Sequence, residues 1–372
     1  MTIKIEKRLS TPKYLSIVVP IISVFVALLI MFIILTIFFM GRLGSFAAAF
    51  SETCLAYQEL ISWPFFNQYG LYSTISKMVP LAFVALGLSF AYKMKIWNIG
   101  GEGQLYMGAM AATWAALFLF RGINSPLVLI TLVAIFSAIA GALWALIPAL
   151  MKAYAKTDEI VVTLMLNYVA IFWVDYLVYG PWRDPKGFGF PGTAAFGQSA
   201  MLPTLFDGNV HIGVFIAIAL AIVLEYINRK TRWGFNSQVV GDNVRAATYS
   251  GIKVKSYTII SLVVSGAIAG LGGGIQMMGM QHRLMHGFSP GYGYTAIIVA
   301  WLGKLNPIAI IFVSFLFGGL LVGNDQLQMF YKLPISLISI FQGLVLFCLL
   351  GGEAIAAYRL RLEKAKEVPA HE

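Results

Sequence analysis

The chain alternates long uncharged apolar runs with short polar segments. Leu15 to Met40 holds no charged residue, and a bilayer-spanning helix needs about 20 mostly apolar residues. Comparable runs cover about 73–92, 98–120, 127–151, 160–179, 209–228, 257–280, 307–328 and 334–352. A shorter apolar piece, 292–303, precedes Lys304 and reads as either a full crossing or a re-entrant segment. The pattern predicts an all-α, polytopic transmembrane bundle of about ten helical segments over 15–352, with tails at 1–14 and 353–372. Hydrophilic segments at 41–72, 180–208 and 229–256 interrupt the runs. The first run exceeds a signal-peptide core of about 7–15 residues, so it reads as an uncleaved anchor.

Composition supports the pattern. The 372 residues are 59% hydrophobic and 11% charged, whereas a soluble domain is about 45–50% apolar and about a quarter charged. The net charge of +10 raises the question of nucleic acid, and its distribution answers it. With the N-terminus inside, eighteen Lys and Arg fall on inner segments and seven on outer ones, the bias that orients membrane proteins. Both termini and 229–256 are therefore placed in the cytoplasm, 41–72 and 180–208 are placed outside, and no nucleic-acid partner is expected. Two cysteines, Cys54 and Cys348, without a CxxC, point to neither a disulfide framework nor a metal site.

The segment KIWNIGGEGQLYMG, 95–108, sets Gly100, Gly101 and Gly103 around Glu102 between two apolar runs. It is not a dinucleotide loop, because Tyr106 stands where G-x-G-x-x-G needs its third glycine. Gly303-Lys304 is followed by Leu305, so no P-loop is present either. Two readings remain: a bend capped by Asn98, or a broken helix lining a polar site within the membrane. A second glycine-rich break, 286–307, lies in the other half, and paired breaks point to a binding site. Gly266, Gly270 and Gly274 recur every four residues and read as a helix-packing face. In 239–256, Asp242 or Asn243 can cap a short helix that Gly251 ends. Such a helix is either a solvated surface element or one that docks in a partner's groove. No Ser/His/Asp constellation, H-E-x-x-H or proton relay is visible, so no catalytic residue is assigned.

Four blocks carry a family resemblance: WNIGGEGQLYMGAMAA (97–112), TDEIVVTLMLNYVA (157–170), VVGDNVRAATYSGI (239–252) and GYGYTAIIVAWLGKLNP (291–307). In these the chain resembles permease subunits of bacterial ABC importers, in the branch for branched-chain amino acids, simple sugars and nucleosides, and is most like the nucleoside type. Trp97 stands where Phe is more usual, and Asp158 where Asn is common. The resemblance implies a multi-pass protein of the cytoplasmic membrane that pairs with a second permease, as heterodimer or homodimer. It implies an ABC ATPase subunit that binds ATP and Mg, an external solute-binding protein, and no cofactor in this chain. It places Gly241, Asp242, Asn243, Arg245 and Ala246 in the ATPase groove. It assigns the pathway or gate to the break, with Asn98, Gly100, Gly101, Glu102 and Gln104. Asn98, Gln104, Asn167 or Gln276 would hydrogen-bond a nucleoside, and Trp97, Tyr106, Tyr168 or Trp301 would stack on it. The rival readings are a sugar or branched-chain amino acid as solute, an ATP-independent transporter or channel, and a membrane scaffold.

Overall fold

The computed structural model describes residues 2–7, 15–187, 189–205, 210–356 and 358–363. In chain order the helices are α1 (Leu15–Leu43), α2 (Phe46–Phe66), α3 (Gln68–Tyr92), α4 (Gly101–Trp114), α5 (Pro126–Leu150), α6 (Glu159–Tyr179), α7 (Gly213–Lys230), α8 (Arg232–Asp242), α9 (Val244–Tyr249), α10 (Val254–Gln276), α11 (Tyr292–Leu302), α12 (Pro307–Tyr331) and α13 (Ile335–Ala356). The short strands are β1 (Thr2–Lys7), β2 (Thr204–Leu205), β3 (Val210–His211) and β4 (Tyr358–Glu363). The fold is all-α, as the hydrophobic pattern predicts. Among the described residues, six helices are long and apolar enough to cross a membrane: those containing Val18–Leu43, Gln68–Tyr92, Pro126–Ala155, Glu159–Tyr179, Val254–Gln281 and Pro307–Tyr331. The apolar piece at 292–303 is the eleven-residue α11. The run 98–120 becomes the fourteen-residue α4, which starts only at Gly101 and ends in a π-helical turn, Ala115–Leu119.

Two compact units share the chain. One comprises 1–60 and 324–372. Here one expectation fails: 41–72 is not a hydrophilic loop. After the turn at Gly44, φ +69°, α2 folds back along α1. Two of its polar groups, Thr53 and Tyr57, are satisfied within that hairpin. The Thr36 and Thr53 hydroxyls lie 3.2 Å apart, and Tyr57 donates to the Leu28 carbonyl at 2.6 Å. The two tails also differ from expectation, because β1 and β4 pair as an antiparallel ribbon, Thr2 opposite Glu363 and Lys7 opposite Tyr358. The two ends of the chain therefore lie together. Residues 8–14 and 364–372 of those tails lie outside the described residues.

The second unit, 61–323, contains the candidate site. From Met78 to Tyr92, α3 is buried on all sides, as an all-round apolar helix must be. α10 threads between α3, α4 and α5 because its second half, from Gly266 to Gly274, carries five glycines. A Cβ on Gly272 would stand 2.7 Å from the Phe83 Cβ, one on Gly270 2.5 Å from the Ser137 carbonyl oxygen, and one on Gly273 would overlap the Leu105 carbonyl oxygen. On the predicted face, Gly266 and Gly274 likewise leave no room for a side chain against Gly141 and Ser137 of α5, so the packing role of Gly266, Gly270 and Gly274 is borne out.

The segment 180–208 is tied down by backbone hydrogen bonds to the chain after α10. Thr193 donates to Leu284 at 2.9 Å, Phe196 to His282 at 2.7 Å and Leu202 to Met278 at 2.9 Å. In the loop before α7, burial first and the neighbouring His282 second push the His211 imidazole down to about 4. Its Nδ1 accepts from the Gly213 amide at 3.2 Å, a bond that only the neutral ring makes. A histidine with a depressed folded value contributes stability above its unfolded value, and loses it as pH falls toward the folded one. Acidification from about pH 6.5 to about pH 4 is expected to lower stability by a few kcal/mol through this group. Thermal unfolding of the solubilised protein checks this: His211→Gln should flatten the acid slope over that window, and an unchanged slope contradicts the assignment.

Candidate functional site

The chain leaves α3 through a tight turn at Lys93–Ile96, in which Lys95 takes a left-handed conformation, φ 56°. It then runs extended to Gly100 before α4 begins. Asn98, fully buried, organises that stretch. Its Oδ1 accepts from the Gly100 amide at 2.9 Å and from Gln104 Nε2 at 3.1 Å. Its Nδ2 donates to Ser265 Oγ on α10 at 2.9 Å and to Gln104 Oε1 at 3.1 Å. The Asn98 carbonyl accepts from the Tyr92 hydroxyl at 3.0 Å. Asn98 is therefore the hub of an internal network rather than the helix cap expected from the sequence: the capping position of α4 is Gly100, which no side chain caps.

α6 holds the other side of the break. Asn167 Oδ1 accepts from the Gly103 amide at 2.8 Å, and its Nδ2 donates to the Ile99 carbonyl at 2.9 Å. Thr163 Oγ1 accepts from the Ile99 amide at 3.2 Å. Glu159 accepts from the Trp97 amide at 3.4 Å and pairs with Lys152. Orphan backbone groups of the broken helix are thus satisfied by side chains. Gly103 fits only as glycine, because a Cβ would lie 2.9 Å from Asn167 Oδ1.

The second break meets the first. Glu102, 2% exposed, accepts through Oε2 from the Gly293 amide in the first turn of α11, and the Ser289 side chain also hydrogen-bonds it. Ser289 Oγ in turn accepts from Gly291 and Tyr292 at 3.2 and 3.1 Å. A Cβ on Gly293 would stand 2.5 Å from Glu102 Cα. The N-terminal ends of two short helices therefore converge, with one carboxyl group between them. This is the arrangement that helix ends favour for an acceptor, and it realises the expected pairing of the two breaks. The exit from α11 repeats the exit from α3. Lys304 is left-handed at φ 51°, and Asn306 Oδ1 caps α12 through the Ile308 and Ala309 amides at 3.0 and 3.1 Å.

Beside this buried network lies an aromatic surface. Trp97 stacks on Trp301 with centroids 5.3 Å apart and planes at 22°, and Tyr92 packs against both at 5.5 and 6.2 Å. Half-exposed Tyr294 on α11 receives Asn167 Nδ2 at its hydroxyl, 3.4 Å away. Exposed Tyr168 stacks along α6 on Phe172 at 6.5 Å. Tyr106 instead packs against Phe288 at 4.5 Å and is 3% exposed, so it is a core residue.

The segment 229–256 forms a helical corner. Asn243, not Asp242, caps α9, its Oδ1 accepting from Arg245 and Ala246 at 3.0 and 3.1 Å. Gly251, at φ +77°, ends the helix. Asp242 pairs with Lys95 at 3.3 Å. Within α9 only Ala247 is buried, while Val244, Arg245, Ala246 and Tyr249 face outward.

Comparison with known proteins places this arrangement. Residues 70–350 match the family model for the branched-chain amino acid transport system permease component. The chain belongs to that permease family. It is 30% identical to the glucose ABC transporter permease protein TsgB13 of Haloferax volcanii, over 99% of this chain and 97% of that one. It is also 30% identical to the guanosine ABC transporter permease protein NupP of Bacillus subtilis, over 83% and 88%. The nucleoside ABC transporter permease protein NupB of Lactococcus lactis shares 30% identity over 85% and 88%. No solved structure matches the chain. The permease is a multi-pass protein of the cytoplasmic membrane and a transport component of an ABC system.

Of the residues singled out in the permease sequence, Asn98, Gly100, Gly101, Glu102, Gln104 and Asn167 are brought together. Gln276 is not. It lies three turns beyond Ser265 on α10, its Nε2 reaches Met280 Sδ at 3.5 Å, and its Oε1 has no partner among the described residues. Sequence reasoning missed Ser265, Thr163, Glu159 and Ser289. Thr163 and Asn167 sit one helical turn apart on α6, and Ser265 opens the glycine stripe, so spacing gave a partial signal. Ser289 and Gly293 lay in the second break without an assigned role. Among the described residues, no three His, Cys, Asp or Glu are grouped to hold a metal ion.

Proposed function

We propose that the permease carries a nucleoside, or a related neutral planar solute, along the aromatic surface beside the paired breaks. The observation that carries this is the commitment of the polar network. Asn98, Glu102, Gln104 and Asn167 are each at most 2% exposed and bonded to one another or to helix ends. They hold the break, and the surface left to a solute is Trp97, Trp301, Tyr294 and Tyr168. Aromatic faces and a phenolic hydroxyl suit a flat, uncharged heterocycle. They offer no counter-charge to the ammonium and carboxylate of an amino acid. The guanosine and nucleoside permeases among the relatives support the same solute class. The glucose permease, which aligns over nearly the whole chain, supports a sugar as the second reading.

ATP and Mg are held by a partner ATPase, an external protein delivers the solute, and a second permease chain completes the pathway. α9 is the helix that enters the ATPase groove, with Arg245 and Ala246 outward and Asn243 capping it. Gly241 and Asp242 face the turn after α3 instead. Cells lacking this chain should lose uptake of labelled guanosine. In cells that retain it, unlabelled nucleosides should compete and leucine should not. Competition by glucose alone would replace the nucleoside with a sugar. Arg245→Glu should leave the chain in the membrane and lower uptake severalfold; undiminished uptake contradicts the role of α9.

A further inference from the structure

The corner between α8 and α9 rests on the turn that leads into Asn98, through three contacts of different kinds. Gly241 has no room for a side chain, since a Cβ would overlap the Lys93 carbonyl oxygen and lie 3.1 Å from Met94 Cα. Asp242 meets Lys95 at 3.3 Å. Beneath them, Met94 and Ile96 share one apolar core with Val240 of α8, Ala247 of α9 and Leu262 of α10. The ion pair is exposed on both sides, so it guides rather than holds. Backbone contact and core packing make the attachment. The next residue after Ile96 is Trp97, stacked on Trp301, and the one after that is the hub Asn98.

We propose that this joint is the mechanical link of the transport cycle. Displacement of the α8–α9 corner passes through Lys93–Ile96 to the Trp97–Trp301 stack and the Asn98 network. Gly241 is the positioning residue that keeps corner and turn in contact. The inference rests on reading α9 as the ATPase-facing helix, and it adds the route inward. The geometry suits transmission. Packed cores resist compression and shift between discrete arrangements. The far side of the segment is anchored to α6 through the Trp97 amide on Glu159 and the Ile99 amide on Thr163. A push on the turn is therefore resisted at α6 and emerges at the aromatic stack.

The test uses the intact transporter, purified with its partners through a tag on this chain. Cys54 and Cys348, the two native thiols, are changed to serine, and half-buried Ile99 becomes the reporter as Ile99→Cys. Its rate of modification by a positively charged methanethiosulfonate is measured without nucleotide and with Mg-ATP plus vanadate. The two rates should differ on the order of tenfold with Gly241 in place. The difference should vanish in Gly241→Val, and also in Met94→Ala, which empties the joint without adding atoms, while the bound ATPase still turns over. Equal rates in the parent, or a difference that survives both substitutions, overturns the link. The underlying reading has its own readout, because Arg245→Glu should release the ATPase during purification. Full retention of an active ATPase refutes the docking of α9 and leaves the reporter result to be judged by itself.

Discussion

Gly293→Ala is expected to abolish uptake and to lower the thermal stability of the purified permease more than any other alanine substitution in α11. The added Cβ would stand 2.5 Å from Glu102 Cα and overlap the Glu102 amide nitrogen. Overpacking a core costs about 1–3 kcal/mol when side chains can give way. Here the obstacle is backbone on both sides, so the loss lies at or above the top of that range. Only separation of α11 from α4 relieves the clash, and separation breaks the Gly293–Glu102 hydrogen bond. Uptake by membranes containing Gly293→Ala, together with the unfolding midpoint, decides the matter. A normal midpoint with normal uptake would show that the two breaks need not touch.

Glu102→Gln is expected to act in the same direction by a different route. The amide keeps an acceptor for Gly293 but introduces N–H donors where donors already converge, from Gly293 and from Ser289. A buried donor without an acceptor costs about 1–3 kcal/mol. Glu102→Ala, which leaves both Gly293 and Ser289 unmatched, should cost more than Glu102→Gln. Since the side chain is 2% exposed, neither change should alter the order in which guanosine, other nucleosides and glucose compete. A reordered competition series at normal stability would move Glu102 from holding the break to contacting solute.

Much of this arrangement is legible in the sequence, for identifiable reasons. The apolar runs that became α1, α3, α5, α6, α10 and α12 stand out because the bilayer imposes length and composition on them. The cap at Asn243 and the stop at Gly251 stand out because short polar residues and glycine have distinct backbone roles. α2 was not legible. Thr53, Tyr57 and the neighbouring glutamates read as loop residues, and the sequence does not show that Thr53 turns its hydroxyl back onto the Ala49 carbonyl of its own helix or that Tyr57 reaches the Leu28 carbonyl of α1. The partner of Glu102 was not legible either, because Gly293 is 191 positions away in the chain. Gln276 stands apart from the Asn98 network for the converse reason. An amide on an apolar helix invites assignment to a polar site, yet helical rise carries it away from Ser265, where the site touches α10.

The glycine-lined fit of α10 also governs the order of biogenesis. α5 ends at Leu150 and α10 begins only at Val254, so α3, α4 and α5 enter the membrane well before the helix that fills the space between them. During that interval the Ser137 carbonyl, the Leu105 carbonyl and Asn98 Nδ2 face a gap rather than Gly270, Gly273 and Ser265. Arrival of α10 fills that gap, while Glu102 still waits for Gly293 of α11. A nascent chain halted before Val254 therefore lacks the helix that fills this space, and one halted after Gln281 has it.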